Sequence, residues 1–225
     1  MRAILIAYST IANDIPGYID HNDLVTSSDD LAEQAGRLCY ESWNRPNPAT
    51  ATNEGYLENI LNQTHFSVFG HAAVTIYLDG VTRNLTHEFI RHSHFRYSEV
   101  SQRYCDVGNF DFVEHPGLSK IGDEAHKALT AAIGAGRYAY KLIMEDLTDQ
   151  GVERKKARQA ARHALVSGTE TKILASSNLQ GWRDMLWKRL APSADEEFRQ
   201  VAQAILAILK EVAPNSFQDF EGLNE

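Results

Sequence analysis

Apolar positions along this chain change period several times, and each change marks a structural element. Residues 2–8 alternate, with Ile4, Ile6 and Tyr8 on one side, and predict a first strand. Ser28-Asp29-Asp30 opens a helix that runs to about Tyr40, with Leu31, Ala35 and Leu38 at helical spacing. Arg45-Pro46-Asn47-Pro48 reads as a loop. A second helix from about Asn53 to Asn62 carries Tyr56, Ile60 and Leu61. Ala73 to Leu78 reads as a strand closed by Asp79-Gly80, with a helix starting near Val81. Asn109 to Val113 reads as another strand, after which the chain turns helical. Leu129, Ala132, Ile133, Gly136, Tyr140, Ile143 and Leu147 form a sustained apolar stripe. A helix over roughly Val152 to Leu165 precedes an alternating strand from Thr169 to Ser176. Helices close the chain at about Asn178–Leu190 and Ser193–Val212, and Ser193 and Glu196 have capping-box spacing. The expected fold class is α/β (α+β): one domain over 1–225, with a small mixed sheet and long helices whose apolar faces suit oligomer contacts.

Composition narrows the function classes. The 225 residues are 43% hydrophobic, enough for a core, and carry a formal net charge of −8, which argues against general nucleic-acid binding. Cys39 and Cys105 form no CxxC, so neither a zinc ribbon nor a disulfide framework is expected and a cytoplasmic location is the better fit. The N-terminal apolar run is short for a signal peptide, and no run is long enough to span a membrane.

Within this acidic chain, the stretch from Arg83 to Arg103 reverses sign. Arg83, Arg91, Arg96 and Arg103 face only Glu88 and Glu99, with His87, His92 and His94 among them. Such an island is a place to hold an anion. Ser101 and Arg103 offer directed, charge-assisted bonds to a phosphate, and Arg91 with His92 offers a second anionic or π-rich contact. Arg158, Arg162 and Arg189 form a second cationic set downstream; each alone reads first as a solvated surface residue, and only jointly with the dense segment as a ligand site. Gly134 to Ala139 matches a loose GxGxxA, but inside an Ala-rich helical pattern with no preceding strand. His87 and His92 are five residues apart, so they do not stack on one helix face as zinc-protease histidines do, and no metal site is expected. Two residue-based alternatives stay open: a non-catalytic nucleotide- or RNA-binding module, and a metal hydrolase built on the histidines.

Arg91-His92 followed by Ser101-Gln102-Arg103-Tyr104 resembles the signature of flavin-dependent thymidylate synthases, which run Arg-His-Arg, seven residues, Ser. The likeness extends over Cys39 to Trp43, Asn44 to Asn53, Gly55-Tyr56-Leu57, His65 to His71, Lys156 to Arg162 and Thr169-Glu170-Thr171, nearly the whole chain. It implies a homotetramer of the family's own α/β fold, with active sites at subunit junctions. It also implies reductive methylation of uracil C5 in dUMP, with methylenetetrahydrofolate giving the carbon and NADPH reducing FAD. By this resemblance the cofactor residues are Ser67, Arg91, His92, Ser93, Glu99 and Asn178. Substrate contacts fall on Glu88, Ser101, Gln102, Arg103, Arg162 and Arg189, and Arg189 is the catalytic residue that activates the uracil.

The match has departures. Ser93 stands where the family has Arg, and Arg96 follows where relatives are small. If the segment is turn-like or helical there, positions 93 and 96 share a face and Arg96 replaces part of the lost charge. Gln180 and Asp184 stand where relatives carry Arg and Asn near the flavin, and Ser193 replaces a common His. Departures gathered at one site point to altered substrate handling. The alternative is therefore the family branch that methylates UMP and dUMP for nucleoside-antibiotic biosynthesis.

Overall fold

The computed structural model describes residues 1–18, 25–45 and 47–220. Its strands are β1 (Arg2–Tyr8), β2 (Ala73–Thr82), β3 (Arg96–Glu99) and β4 (Glu170–Asn178). Its helices are α1 (Ser27–Leu38), α2 (Asn53–Asn62), α3 (Arg83–Phe89), α4 (Asp123–Asp149), α5 (Arg154–Ala161), α6 (Leu179–Arg189) and α7 (Glu196–Val212). The strands form a small antiparallel sheet in the order β1-β2-β4-β3. Side-chain caps fix most helix starts by satisfying backbone N–H groups that have no partner within the helix. Thr26, Thr52, Thr82 and Asn178 cap α1, α2, α3 and α6.

Four local expectations need correction. β2 does not stop at Asp79-Gly80: Gly80 takes φ +69 within the strand, a conformation without penalty for glycine, and pairing continues to Thr82. Residues 109–113 form no strand. They make one bridge, Phe112 to Thr169, flanked by Glu170 N donating to Asp111 O (2.8 Å) and Val113 N to Gly168 O (3.0 Å). Phe112 packs against Gly168, where an added Cβ would lie 2.3 Å from the ring. The cap of α7 is Asp195, accepting from Phe198 N at 3.1 Å, and Ser193 lies outside in the preceding turn. The helix expected over 152–165 is α5 followed by a tighter turn at Arg162–Ala164. Pro46, part of the loop expected at 45–48, lies outside the described residues.

The chain forms two compact units. The first comprises Met1–Arg2, Leu78–Arg91 and Ser98–Ile173. There the apolar stripe of α4 buries Tyr140 against Val107 and Ala161, with Phe110, Ile143, Met144 and Leu165 around them. The second comprises Ala3–Tyr77, His92–Tyr97 and Leu174–Glu225. Its core joins Trp182, Met185 and Leu186 of α6 to Phe198, Val201, Ile205 and Leu209 of α7. Trp182 is fully buried, and its indole N–H donates to Val74 O at 3.0 Å. Among the described residues no helix is long and apolar enough to cross a membrane.

Candidate functional site

In the first unit, α3 and β3 lead into the expected anion site. Glu99 sits at the centre of one cluster: its Oε1 pairs with Arg83 Nη1 at 2.8 Å and accepts from Thr86 Oγ1 (2.8 Å) and Thr171 Oγ1 (3.2 Å). Arg83, Thr86, His87 and Glu99 line a cavity of about 300 Å³. Residues 101–105 then form a tight turn, with Cys105 N donating to Ser101 O at 2.9 Å and Arg103 N to Ser101 Oγ at 3.4 Å.

Helix α5 holds this turn. Arg158 Nη1 donates to Tyr104 O at 2.7 Å, and Lys155 lies over the Tyr104 ring at 4.5 Å. With the Gln159 amide turned so that its oxygen faces Arg103, that oxygen accepts from Nε (2.9 Å) and Nη2 (3.2 Å). An amide orients a guanidinium without neutralising it, so Arg103 keeps its full charge for an anion. Arg162 follows at the end of α5, half-buried. The Arg91 and Arg162 side chains make no hydrogen bond or ion pair among the described residues. Glu88 is half-buried on α3, and Arg91 is exposed just beyond its end.

The second unit holds Ser67, His92, Ser93, Asn178 and Arg189. Ser67 lies in the 3-10 turn Phe66–Gly70, on the wall of a cavity of about 470 Å³ with Tyr40, His65, Phe66 and Gln180. Asn178, at the start of α6, donates from Nδ2 to Gly70 O at 3.1 Å and accepts from Gly181 N at 2.9 Å. A Cβ at Gly70 would meet Asn178 Nδ2 and Gln180 Oε1 at 3.7 Å each. The hydroxyl and three aromatic rings of the Ser67 cavity fit a planar heteroaromatic group such as a flavin. Asp184 pairs with Lys188 one helical turn away at 2.8 Å, as a surface pair.

His92 is buried, and its Nε2 accepts the Nε–H of Arg189 at 3.1 Å. Burial, with help from the Arg189 and Lys188 charges, lowers its pKa to about 4. Arg189 also lies over the Phe198 ring at 4.5 Å. Ser93 is exposed in a turn closed by Phe95 N donating to His92 O, and Arg96 begins β3. The segment is a turn that leads into a strand and not a helix, and Arg96 Nη1 donates to Phe95 O. His87, His92 and His94 do not gather: among the described residues no three His, Cys, Asp or Glu side chains form a metal-binding group.

Sequence reasoning gave no site role to Arg83, Thr86 and Thr171 around Glu99, to Gln159 beside Arg103, or to Phe198 against Arg189. Arg83 stood only in the charged island, and Thr171 and Gln159 only in blocks of the resemblance. Thr86 and Phe198 are ordinary helix residues until the fold assembles them.

The chain matches the family model described as thymidylate synthase complementing protein over residues 19–215. It is 46% identical to the flavin-dependent thymidylate synthase of Mycobacterium marinum (strain ATCC BAA-535 / M), over 85% of this chain and 79% of that protein. The proteins of the same name from Mycobacterium tuberculosis (strain ATCC 25618 / H37Rv) and Mycobacterium avium (strain 104) are 45% and 44% identical over the same shares. With that model and those identities across most of its length, the chain belongs to the flavin-dependent thymidylate synthase family of enzymes.

Proposed function

We propose that this enzyme methylates C5 of dUMP, taking the carbon from methylenetetrahydrofolate and its reducing electrons from NADPH through FAD. The observation that carries this reading is Arg189, whose Nε–H is held by the neutral His92 imidazole and whose guanidinium lies over the Phe198 ring. C5 of uracil is a weak nucleophile. A fixed, fully charged guanidinium stabilises negative charge as the ring becomes electron-rich, and it does so without giving up a proton. C5 bonds to the folate carbon and loses its proton, a hydride completes the methyl group, and tetrahydrofolate leaves. When bound, the flavin supplies that hydride.

The chain's own groups position the reactants. Ser101, Gln102, Arg103 and Arg162 hold the nucleotide phosphate, with Glu88 on the nucleotide. Ser67, Arg91, Ser93, Glu99 and Asn178 hold the flavin. Exposed Ile4, Ile6 and Tyr8 on one face of β1 support a homotetramer of 25.2-kDa chains with active sites at subunit junctions. A cytoplasmic location accords with this substrate set.

A second reading, methylation of UMP as well as dUMP, is favoured by Gln180. This departure from the family pattern lines the same cavity as Ser67. Tritium release from 5-tritiated dUMP, with FAD, NADPH and methylenetetrahydrofolate, tests both readings when UMP is added as competitor. Release that UMP does not suppress supports dUMP alone; methyl transfer to UMP supports the second reading. A colourless protein that takes up no flavin and releases no tritium refutes both.

A further inference from the structure

We propose that His92 is a positioning residue for Arg189: its imidazole accepts the Nε–H and sets the plane of the guanidinium whose terminal nitrogens meet the pyrimidine. The inference rests on the reading above, that Arg189 acts on the uracil ring. The two residues lie 97 positions apart, and the fold brings Nε and Nε2 to 3.1 Å.

The chemistry of the partner matters: a neutral imidazole gives the Nε–H a fixed direction and adds no charge of its own. For Nε2 to accept, the ring proton must sit on Nδ1, so the bond also selects the tautomer.

The ring itself is held. It meets Phe95 and Phe198 edge-on, each at 6.2 Å between centroids. Its backbone carbonyl accepts from Tyr97 Oη at 3.3 Å, so β3 fixes the segment that bears it. Phe198 of α7 touches both partners, the His92 ring edge-on and the Arg189 guanidinium face-on. The charged groups that act on the ring are Arg189, Lys188 and Asp184, all on α6, and the net result with burial favours the neutral form. The resemblance places His92 among the flavin residues; in this structure Nε2 is committed to Arg189.

Two measurements on the full-length protein test this. In protein labelled with ¹⁵N-histidine, long-range ¹H–¹⁵N correlation should show His92 with its proton on Nδ1 and Nε2 as acceptor, and the Nε2 shift should move in Arg189→Lys. In tritium-release kinetics, His92→Phe should lower kcat by about 10- to 100-fold while the flavin Kd stays within about twofold. His92→Gln, which restores an acceptor at the position of Nε2, should recover most of that loss. Arg189→Lys should cost much less in the His92→Phe background than in the wild type, because the bond is already gone. A proton on Nε2 would overturn the proposal. So would His92→Phe with unchanged kcat, or with a flavin Kd raised about tenfold or more and normal turnover at saturating FAD. If His92→Phe does not fold, the tautomer and His92→Gln still decide. A wild-type protein that releases no tritium would refute the methylation reading instead, and the tautomer measurement would stand apart from it.

Discussion

Arg37 in the second unit and Arg103 in the first carry the same guanidinium to opposite ends. Arg37 is 2% exposed and its partners are protein groups: Nε on Glu33 at 2.6 Å, Nη2 on Thr50 O at 2.6 Å, Nη1 on Ser42 O at 3.2 Å. Glu33 is in turn satisfied by Arg45 at 3.2 Å and Asn53 at 2.8 Å. Arg183 repeats the pattern, bidentate on Asp219 at 2.8 and 2.6 Å and surrounded by Phe66, Phe69, Phe217 and Phe220. Among the described residues, the Arg103 side chain is half-buried and oriented by a neutral amide alone, and that of Arg162 lacks even that. An arginine neutralised from within belongs to the scaffold. One that is oriented but left charged is prepared for an anion from outside.

The sharpest way to break this comparison is to delete one member of each kind. Arg37→Ala leaves Glu33 buried with its charge only partly compensated and strips two carbonyls of their donors. It should lower the unfolding free energy by about 3–5 kcal/mol, read by urea denaturation. Arg103→Ala should leave stability within about 0.5 kcal/mol and lower kcat/KM for the nucleotide by about a hundredfold or more. Arg103→Lys should recover part of the loss as a point charge without the fork. If Arg103→Ala unfolds the protein or Arg37→Ala spares it, the distinction between scaffold and ligand arginines fails.

The same comparison explains what was legible beforehand. β1 and α2 were readable to their ends, because alternation and 3.6-residue spacing mark one apolar face, which is exposed on β1 and buried on α2. The arginines proposed for the ligand stood out because they crowd into short polar segments. Arg37 and Arg183 were not: a charged residue on an amphipathic helix reads as solvent-facing, and its burial depends on partners the period cannot show. Asp29 is the extreme case. It appeared as an acidic first-turn residue of α1, yet it is fully buried and accepts from Asn215 N and Ser216 N, the latter 187 residues away. β3 hid for a different reason. Its four residues lie inside a segment whose polar density suggested only chemistry, although Tyr97 and Glu99 alternate with exposed Arg96 and Ser98.

Two buried titratable groups of the second unit sharpen the comparison, because they shift stability in opposite directions. His92 has a pKa of about 4 against an ordinary 6.5, so the unfolded chain binds more protons between those values. Its contribution is complete above pH 6.5 and is lost as pH falls toward 4. Asp29 is raised by burial from 3.8 to about 6, although the Ser216 and Asn215 donors oppose the shift. Its contribution is complete below pH 3.8 and is lost as pH rises through 6. The stability difference between wild type and His92→Gln should therefore grow by about 1–2 kcal/mol from pH 4 to 6.5, discounted for partial solvent screening. The corresponding difference for Asp29→Asn should shrink with pH over nearly the same window. Denaturation at half-unit pH steps separates the two, and parallel slopes would refute the assignment of opposite signs.

The smallest effect concerns backbone conformation at the rim of the Ser67 cavity. Thr64 lines that cavity with φ +56, a left-handed conformation that a β-branched residue adopts only under strain. Its amide donates to Leu61 O at 3.0 Å, closing the end of α2, and the next residues turn directly into His65, Phe66 and Ser67. Asparagine tolerates this conformation through its short polar side chain, without the entropy that glycine would add to the unfolded chain. Thr64→Asn should therefore raise the unfolding free energy by about 0.5–1 kcal/mol, seen as a higher urea midpoint at constant slope. The backbone that places Ser67 is unchanged by the substitution, so flavin affinity should stay within about twofold. A gain in stability with a weakened flavin would mean that the Thr64 side chain itself works at the cavity. That would place one more residue with the oriented, ligand-facing groups and outside the paired scaffold.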